Sequence, residues 1–174
     1  MKSAVFFDRD GVINKVILRY GQPFSARHFD EFELVEGVRE VLQAFRKEGF
    51  INIIVTNQPD IARGLMKKEE LEKMHVLIRE ELPVDVILVC PHDDNDNCNC
   101  RKPKPGLLLK AAKERNIDLH SSFVIGDQWK DMEAGKNVNC STILIDYPYN
   151  KEVKADFRVK DLSSAEEIIL KGEK

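Results

Sequence analysis

Short apolar runs and helical stripes alternate along the chain. Ala4-Val5-Phe6-Phe7 stops abruptly at Asp8-Arg9-Asp10-Gly11, which reads as a buried strand ending in a polar turn. Glu36 to Glu48 sets Val38, Val41, Leu42 and Phe45 at helical spacing, and Gly49 follows as a stop signal. Ile51-Asn52-Ile53-Ile54-Val55 is β-branched and apolar, a second strand that closes at Thr56-Asn57-Gln58. Lys67 to Leu82 has Leu71, Met74, Leu77 and Ile78 as the buried stripe of a helix, with His75 on or beside it as a structural residue. A third strand is expected over Val84 to Val89, a helix over Leu107 to Arg115, a fourth strand over Ser122 to Ile125 and a fifth over Cys140 to Ile145. Ser163 and Ser164 stand three residues before Glu166 and Glu167, overlapping capping-box patterns that would open a last helix. Residues 14–32, 59–66 and 91–105 keep no period and read as loops. The alternation predicts an α/β fold, a doubly wound and mainly parallel sheet, in one domain over residues 1–174.

Ligands of such a sheet bind beyond the carboxyl ends of its strands. Asp8 and Asp10 lie there, and alternation along an extended chain would point both the same way. Adjacent carboxylates repel unless a cation lies between them; a hard divalent ion, Mg2+ first, is the expected answer. Asp127 follows Gly126 at the end of the fourth strand and completes an acidic set, with Asp131 one helical turn further on. Thr56 offers a hydroxyl, and the amides after it are donors for a phosphoryl oxygen. Tyr20, Arg27 and His28 are candidates to face a substrate, Arg63 is available to an anion, and Arg101 to Lys104 supplies cations. Together these are the groups that phosphoryl transfer needs: Asp8 as nucleophile, Asp10 as acid and base, and cations and donors for the equatorial oxygens.

Three of the four cysteines cluster with a histidine, as Cys90, His92, Cys98 and Cys100. Three thiolates and an imidazole form a structural zinc set with no open position, so Zn2+ is expected to stiffen the loop that ends in Arg101 and Lys102. Cys140 stands apart and reads as a small buried hydrophobe.

Composition narrows the partners. The chain is 43% hydrophobic with a net charge of −3, and acidic and basic residues are interleaved. No broad basic face for nucleic acid or membrane is therefore expected, and a small substrate is favoured over a polyanionic one. With no signal peptide or membrane-length apolar run in these residues, the protein is expected in the cytoplasm, as a monomer.

Phe7-Asp8-Arg9-Asp10-Gly11-Val12-Ile13-Asn14, Val55-Thr56-Asn57-Gln58, the segment Cys90 to Gly106 and Gly126-Asp127 occur in an order that resembles haloacid dehalogenase superfamily phosphatases. The zinc loop followed by Cys-Arg-Lys-Pro-Lys-Pro-Gly narrows the resemblance to the heptose bisphosphate and histidinol-phosphate phosphatase family. It implies that the small substrate is a phosphorylated sugar, and that the reaction is hydrolysis of the C7 phosphate of D-glycero-D-manno-heptose 1,7-bisphosphate through an aspartyl-phosphate, with histidinol phosphate as the alternative substrate. A nucleic-acid 3′-end phosphatase and a silent phosphate-binding module are remoter alternatives. By resemblance, Asp127 binds Mg2+ beside Asp8 and the Asp10 backbone carbonyl, Lys102 rather than Lys104 stabilises the phosphoryl group, and Arg101 recognises substrate. Tyr20, Asn57, Gln58 and Gln128 are the other expected substrate contacts. Relatives usually carry Ser-Gly where Pro59-Asp60 stands, and often a lysine where Gln128 stands. The chain leaves no room for a separate cap domain, so its three loops must wall the pocket themselves.

Overall fold

The structure, a computed structural model, describes residues 1–172. Six strands form one parallel sheet: β1 (Ala4–Phe7), β4 (Ile51–Asn57), β5 (Val86–Cys90), β6 (Phe123–Gly126), β7 (Ser141–Ile145) and β8 (Phe157–Val159). Their spatial order is β5-β4-β1-β6-β7-β8. From β1 the chain winds outward through β4 to β5, then returns to β6 on the other side of β1 and winds outward again. The switch therefore falls beside β1, and the crevice at that strand's carboxyl end is the natural binding place.

Alternation along each strand decides which helices cover which face. Val5, Phe7, Ile54, Ile125 and Ile143 pack beneath α1 (Val38–Lys47), α2 (Lys68–Glu81) and α5 (Leu162–Lys171). Ala4, Phe6, Ile53, Val55 and Val124 point the other way, against α3 (Gly106–Arg115) and α4 (Trp129–Lys136). Both faces of β1 are fully buried, which is why its run is unbroken by polar residues. The Phe7 and Phe45 rings meet at 6.0 Å between centroids; fully burying such a side chain contributes about 1.5–3 kcal/mol. Among the described residues no helix is long and apolar enough to cross a membrane.

Three local expectations change. The stretch Asn14 to Phe32 is not all loop: β2 (Ile17–Arg19) and β3 (Gln22–Phe24) pair antiparallel around Tyr20 and Gly21, both at positive φ. The two-residue turn is of the kind that matches strand twist, but its tyrosine and the proline within β3 hide it from pattern reading. The sixth strand, β8, is also new: three residues at the sheet edge, with an arginine at its centre, carry no apolar run. At the last helix, Asp161 rather than a serine is the cap, its Oδ1 accepting from the Ser164 backbone N–H at 2.8 Å.

Candidate functional site

Asp8 follows β1 directly, its backbone N–H still bonded to the Ile125 carbonyl at 2.9 Å, so the sheet holds it rigidly. The Lys102 ammonium uses its three donors on Asp8 Oδ1 (2.8 Å), the Val55 carbonyl (2.9 Å) and Asp131 Oδ1 (2.6 Å). Asn57 clamps the backbone of that lysine at both ends: its Nδ2 donates to the Lys102 carbonyl and its Oδ1 accepts from the Lys102 N–H, each at 3.1 Å. Lys104 turns away and donates to the Cys98 carbonyl. Burial pushes the Asp8 carboxyl up to about 7 against the opposing pull of Lys102; Asp131 and Asp10 push the same way as burial.

Asp10 lines the same cleft with different company. Its carboxylate accepts from Arg9 (2.9 and 3.1 Å), Asn14 (3.0 Å), Ser25 (2.9 Å) and Gln58 (2.8 Å). Burial alone would raise it, but the Arg9 charge and these bonds outweigh burial and hold Asp10 below the usual carboxylate range. Arg9 is completely buried, with its guanidinium over the Phe32 ring.

Asp8, Asp127 and Asp131 bring carboxylate oxygens within 4.8 Å of one another. Lys102 pairs with two of these buried carboxylates, Asp8 and Asp131, and among the described residues Asp127 Oδ1 is buried with no hydrogen-bond partner. A divalent cation with oxygen ligands fits that set. The Asp10 side chain is outside this group, so only its backbone could take part. Tyr149 donates to Asp127 Oδ2 at 2.5 Å, and Asn150 donates to the Asp127 carbonyl at 2.7 Å. Burial drives the Asp127 carboxyl well above its usual range, and Asp8 and Asp131 reinforce it.

Cys90, His92, Cys98 and Cys100 also converge. Their Sγ and Nδ1 atoms stand 3.2–3.6 Å apart in every pair that makes contact. A tetrahedral Cys3His zinc site has edges of about 3.7 Å, so the donor set fits Zn2+ closely. Arg101 follows at once, bonded through Nε to Asp94 (2.7 Å) and through Nη1 to the His92 carbonyl (3.3 Å).

The cleft, about 190 Å³, is walled by the β3 end (Pro23, Ser25), the 59–66 turn (Asp60, Arg63) and the zinc loop (Arg101). Among the described residues no separate domain covers it. Asp60 accepts from Arg27 at 2.7 Å and pairs with Arg63, which also clasps Asp93, so one charge network ties the three walls together. Of the expected substrate contacts, Asn57, Arg101 and Gln128 line the cleft. Two expected contacts are corrected: Tyr20 stands fully exposed at the hairpin tip, outside the lining, and Gln58 is buried below it. The Gln58 amide is spent on Asp10 and on Thr56 Oγ1, both at 2.8 Å. Thr56 is itself fully buried, and His28 is exposed away from the cleft.

Residues 2–145 match the model of the haloacid dehalogenase-like hydrolase family. The chain belongs to that family. Among its curated relatives, the D-glycero-beta-D-manno-heptose-1,7-bisphosphate 7-phosphatase of Pasteurella multocida is 37% identical over 157 residues, covering 83% of this chain and 82% of the relative. The D-glycero-alpha-D-manno-heptose-1,7-bisphosphate 7-phosphatase of Campylobacter jejuni is 34% identical over 171 residues, covering 95% and 93%. A crystal structure of the D,D-heptose 1,7-bisphosphate phosphatase from B. bronchiseptica, complexed with magnesium and phosphate, superposes with a TM-score of 0.84 at 25% identity, covering 98% of this chain and 99% of that one.

Asp131 and Tyr149 are site residues that pattern reading left without a role. The i, i+4 spacing from Asp127 was a usable signal for Asp131; Tyr149 lies after β7 and carries none. Gly11 shows how tightly this haloacid dehalogenase-like site is built: its φ is +86°, and a Cβ there would stand 2.6 Å from Asp127 Oδ2. Gly11→Ala is expected to displace Asp127 and strain the turn at a cost of about 1–3 kcal/mol, read as a lower melting temperature together with weaker Mg2+ binding.

Proposed function

We propose that this chain is a Mg2+-dependent phosphatase that hydrolyses the C7 phosphate of D-glycero-D-manno-heptose 1,7-bisphosphate. The observation that supports it best is the meeting of Asp8, Lys102 and the Asp127–Asp131 pair at one cleft, in a chain whose curated relatives carry that activity in their names. Asp8 attacks phosphorus; its Oδ–P bond forms as the bond from phosphorus to the C7 oxygen breaks. Asp10 gives its proton to that oxygen, then takes one from the water that attacks the aspartyl-phosphate and releases inorganic phosphate. Arg9 keeps Asp10 ionised at rest, which suits the second step. The negative charge of an arriving phosphomonoester raises its proton affinity for the first.

Lys102 orients Asp8 and offsets charge on the equatorial oxygens. Thr56 is buried outside the cleft lining and its Oγ1 accepts from Gln58, so we assign it the positioning of Gln58 against Asp10 rather than a direct contact with the phosphoryl group. Asp8, Asp127 and the Asp10 carbonyl would hold Mg2+, which when bound neutralises charge on the transferring group. Cys90, His92, Cys98 and Cys100 would hold Zn2+ and so fix the Arg101 wall. We place the enzyme in the cytoplasm, where its unpaired cysteines stay reduced.

The test is phosphate release with Mg2+ from both heptose bisphosphate anomers, histidinol phosphate, fructose 1,6-bisphosphate and a 3′-phosphorylated oligonucleotide. One heptose anomer is expected to lead the other substrates by about a hundredfold or more in kcat/KM; a lead for histidinol phosphate would overturn the substrate and leave the chemistry. Tyr149→Phe is expected to raise the Mg2+ concentration for half-maximal rate about tenfold, with saturating Mg2+ restoring most of kcat. Direct Mn2+ titration followed by electron paramagnetic resonance checks the binding separately.

A further inference from the structure

The cations lining the cleft are Arg63, Arg101, Lys102 and Lys130. Three already hold carboxylates. Arg63 clasps Asp93 at 2.6 and 2.8 Å, Arg101 holds Asp94 at 2.7 Å, and Lys102 holds Asp8 and Asp131. Lys130 differs: among the described residues no carboxylate lies within ion-pair distance of it. Its ammonium instead stands 5.8 Å from the centroid of the half-exposed Trp129 ring, an aromatic face that steadies a cation without neutralising it.

Its place in the helix sharpens the point. Lys130 is in the first turn of α4, where the partial positive charge of the helix end disfavours a cation. At longer range its charge attracts Asp94, which Arg101 already holds, so a ligand anion is the direct partner its charge lacks among the described residues. An anion meeting Arg63 or Arg101 would compete with a carboxylate already bonded; one meeting Lys130 would not. A compact ammonium suits a phosphate approached as a point charge.

We propose that Lys130, backed by Trp129, receives the second anionic group of the substrate, the phosphate that is not hydrolysed. This rests on the reading of the site as a sugar bisphosphate phosphatase, and it makes Lys130 a specificity residue rather than a catalytic one. Matched pairs test it: heptose 1,7-bisphosphate against heptose 7-phosphate, and fructose 1,6-bisphosphate against fructose 6-phosphate. Each is assayed with the wild type, Lys130→Gln and Lys130→Arg.

In whichever pair turns over, Lys130→Gln should lower kcat/KM for the bisphosphate about tenfold, through KM. The monophosphate should be unaffected, and Lys130→Arg should keep most of the preference. The melting temperature of Lys130→Gln should not fall, since a cation leaves the helix N-terminus. Equal losses on both members of a pair, no loss on either, or a wild type with no preference for the bisphosphate would overturn the assignment. Which pair is preferred judges the substrate reading separately: a fructose preference refutes heptose while the ratio still decides Lys130. A wild type that hydrolyses no bisphosphate overturns both.

Discussion

Asp8→Asn is expected to lower kcat by at least about a thousandfold while the protein stays folded. The amide has no anionic oxygen to attack phosphorus, yet it is nearly isosteric, and Lys102 keeps Asp131 and the Val55 carbonyl as partners. Stability should move in a defined direction. Burial raises Asp8 to about 7 in the folded chain, so between the ordinary carboxylate range and about 7 the folded state binds more protons than the unfolded one. Stability from this group is therefore lost as pH rises through that window. Asparagine does not titrate, so in EDTA the variant should lose less stability than the wild type between pH 5 and 8, and melt no lower at pH 8. Adding Mg2+ should raise the wild-type melting temperature more than that of the variant, because one acidic ligand is gone. Undiminished turnover would remove Asp8 as the nucleophile; a variant markedly less stable at pH 8 would contradict the account of its burial.

Cys98→Ser is expected to release zinc and, with it, the wall of the cleft. A hydroxyl is a poor substitute for a thiolate on zinc, and structural zinc is worth about 10–16 kcal/mol of apparent binding in small domains. Several contacts depend on this loop: Arg63 to Asp93, Arg101 to Asp94, and Lys104 to the Cys98 carbonyl. Lys102 is only two residues beyond the last ligand, Cys100, though Asn57 clamps it from β4. The expected result is less than one zinc per chain by elemental analysis, a lower melting temperature, and a loss of about tenfold or more in kcat/KM, with KM more affected than kcat. Retention of a full zinc equivalent would refute the ligand assignment. Loss of zinc with unchanged kinetics would refute the coupling of the loop to the cleft.

Much of this site was legible along the chain because it sits where regular elements stop. Asp8, Thr56-Asn57, Cys90 and Asp127 each end or follow a parallel strand, and an apolar run broken by a polar residue marks such an end. The cysteine cluster was legible for a different reason: ligands to one ion must be close in space, and a single loop makes them close in sequence. Which lysine reaches Asp8 was not readable from composition, since Lys102 and Lys104 are chemically alike; the Asn57 clamp on the Lys102 backbone decides it.

By itself, then, the sequence determined the alternation of elements, the two faces of the sheet through period-two burial, and the identity of the groups brought to its carboxyl edge. Only the tertiary structure decided how those groups divide their partners. Asp10 turned to Arg9, Ser25 and Gln58 instead of to the acidic cluster, Asp131 joined that cluster from α4, and Tyr149 came to Asp127 from 22 residues away. Tertiary packing likewise put Gln58 beneath the cleft, left Tyr20 outside it and set Lys130 on its wall with no ion-pair partner among the described residues. The reason is physical. Strand and helix patterns follow from local periodicity, which the chain carries in its own order. The partner of a buried charge is chosen by which donors and acceptors packing brings within about 3 Å, and those come from segments with no periodic relation to one another.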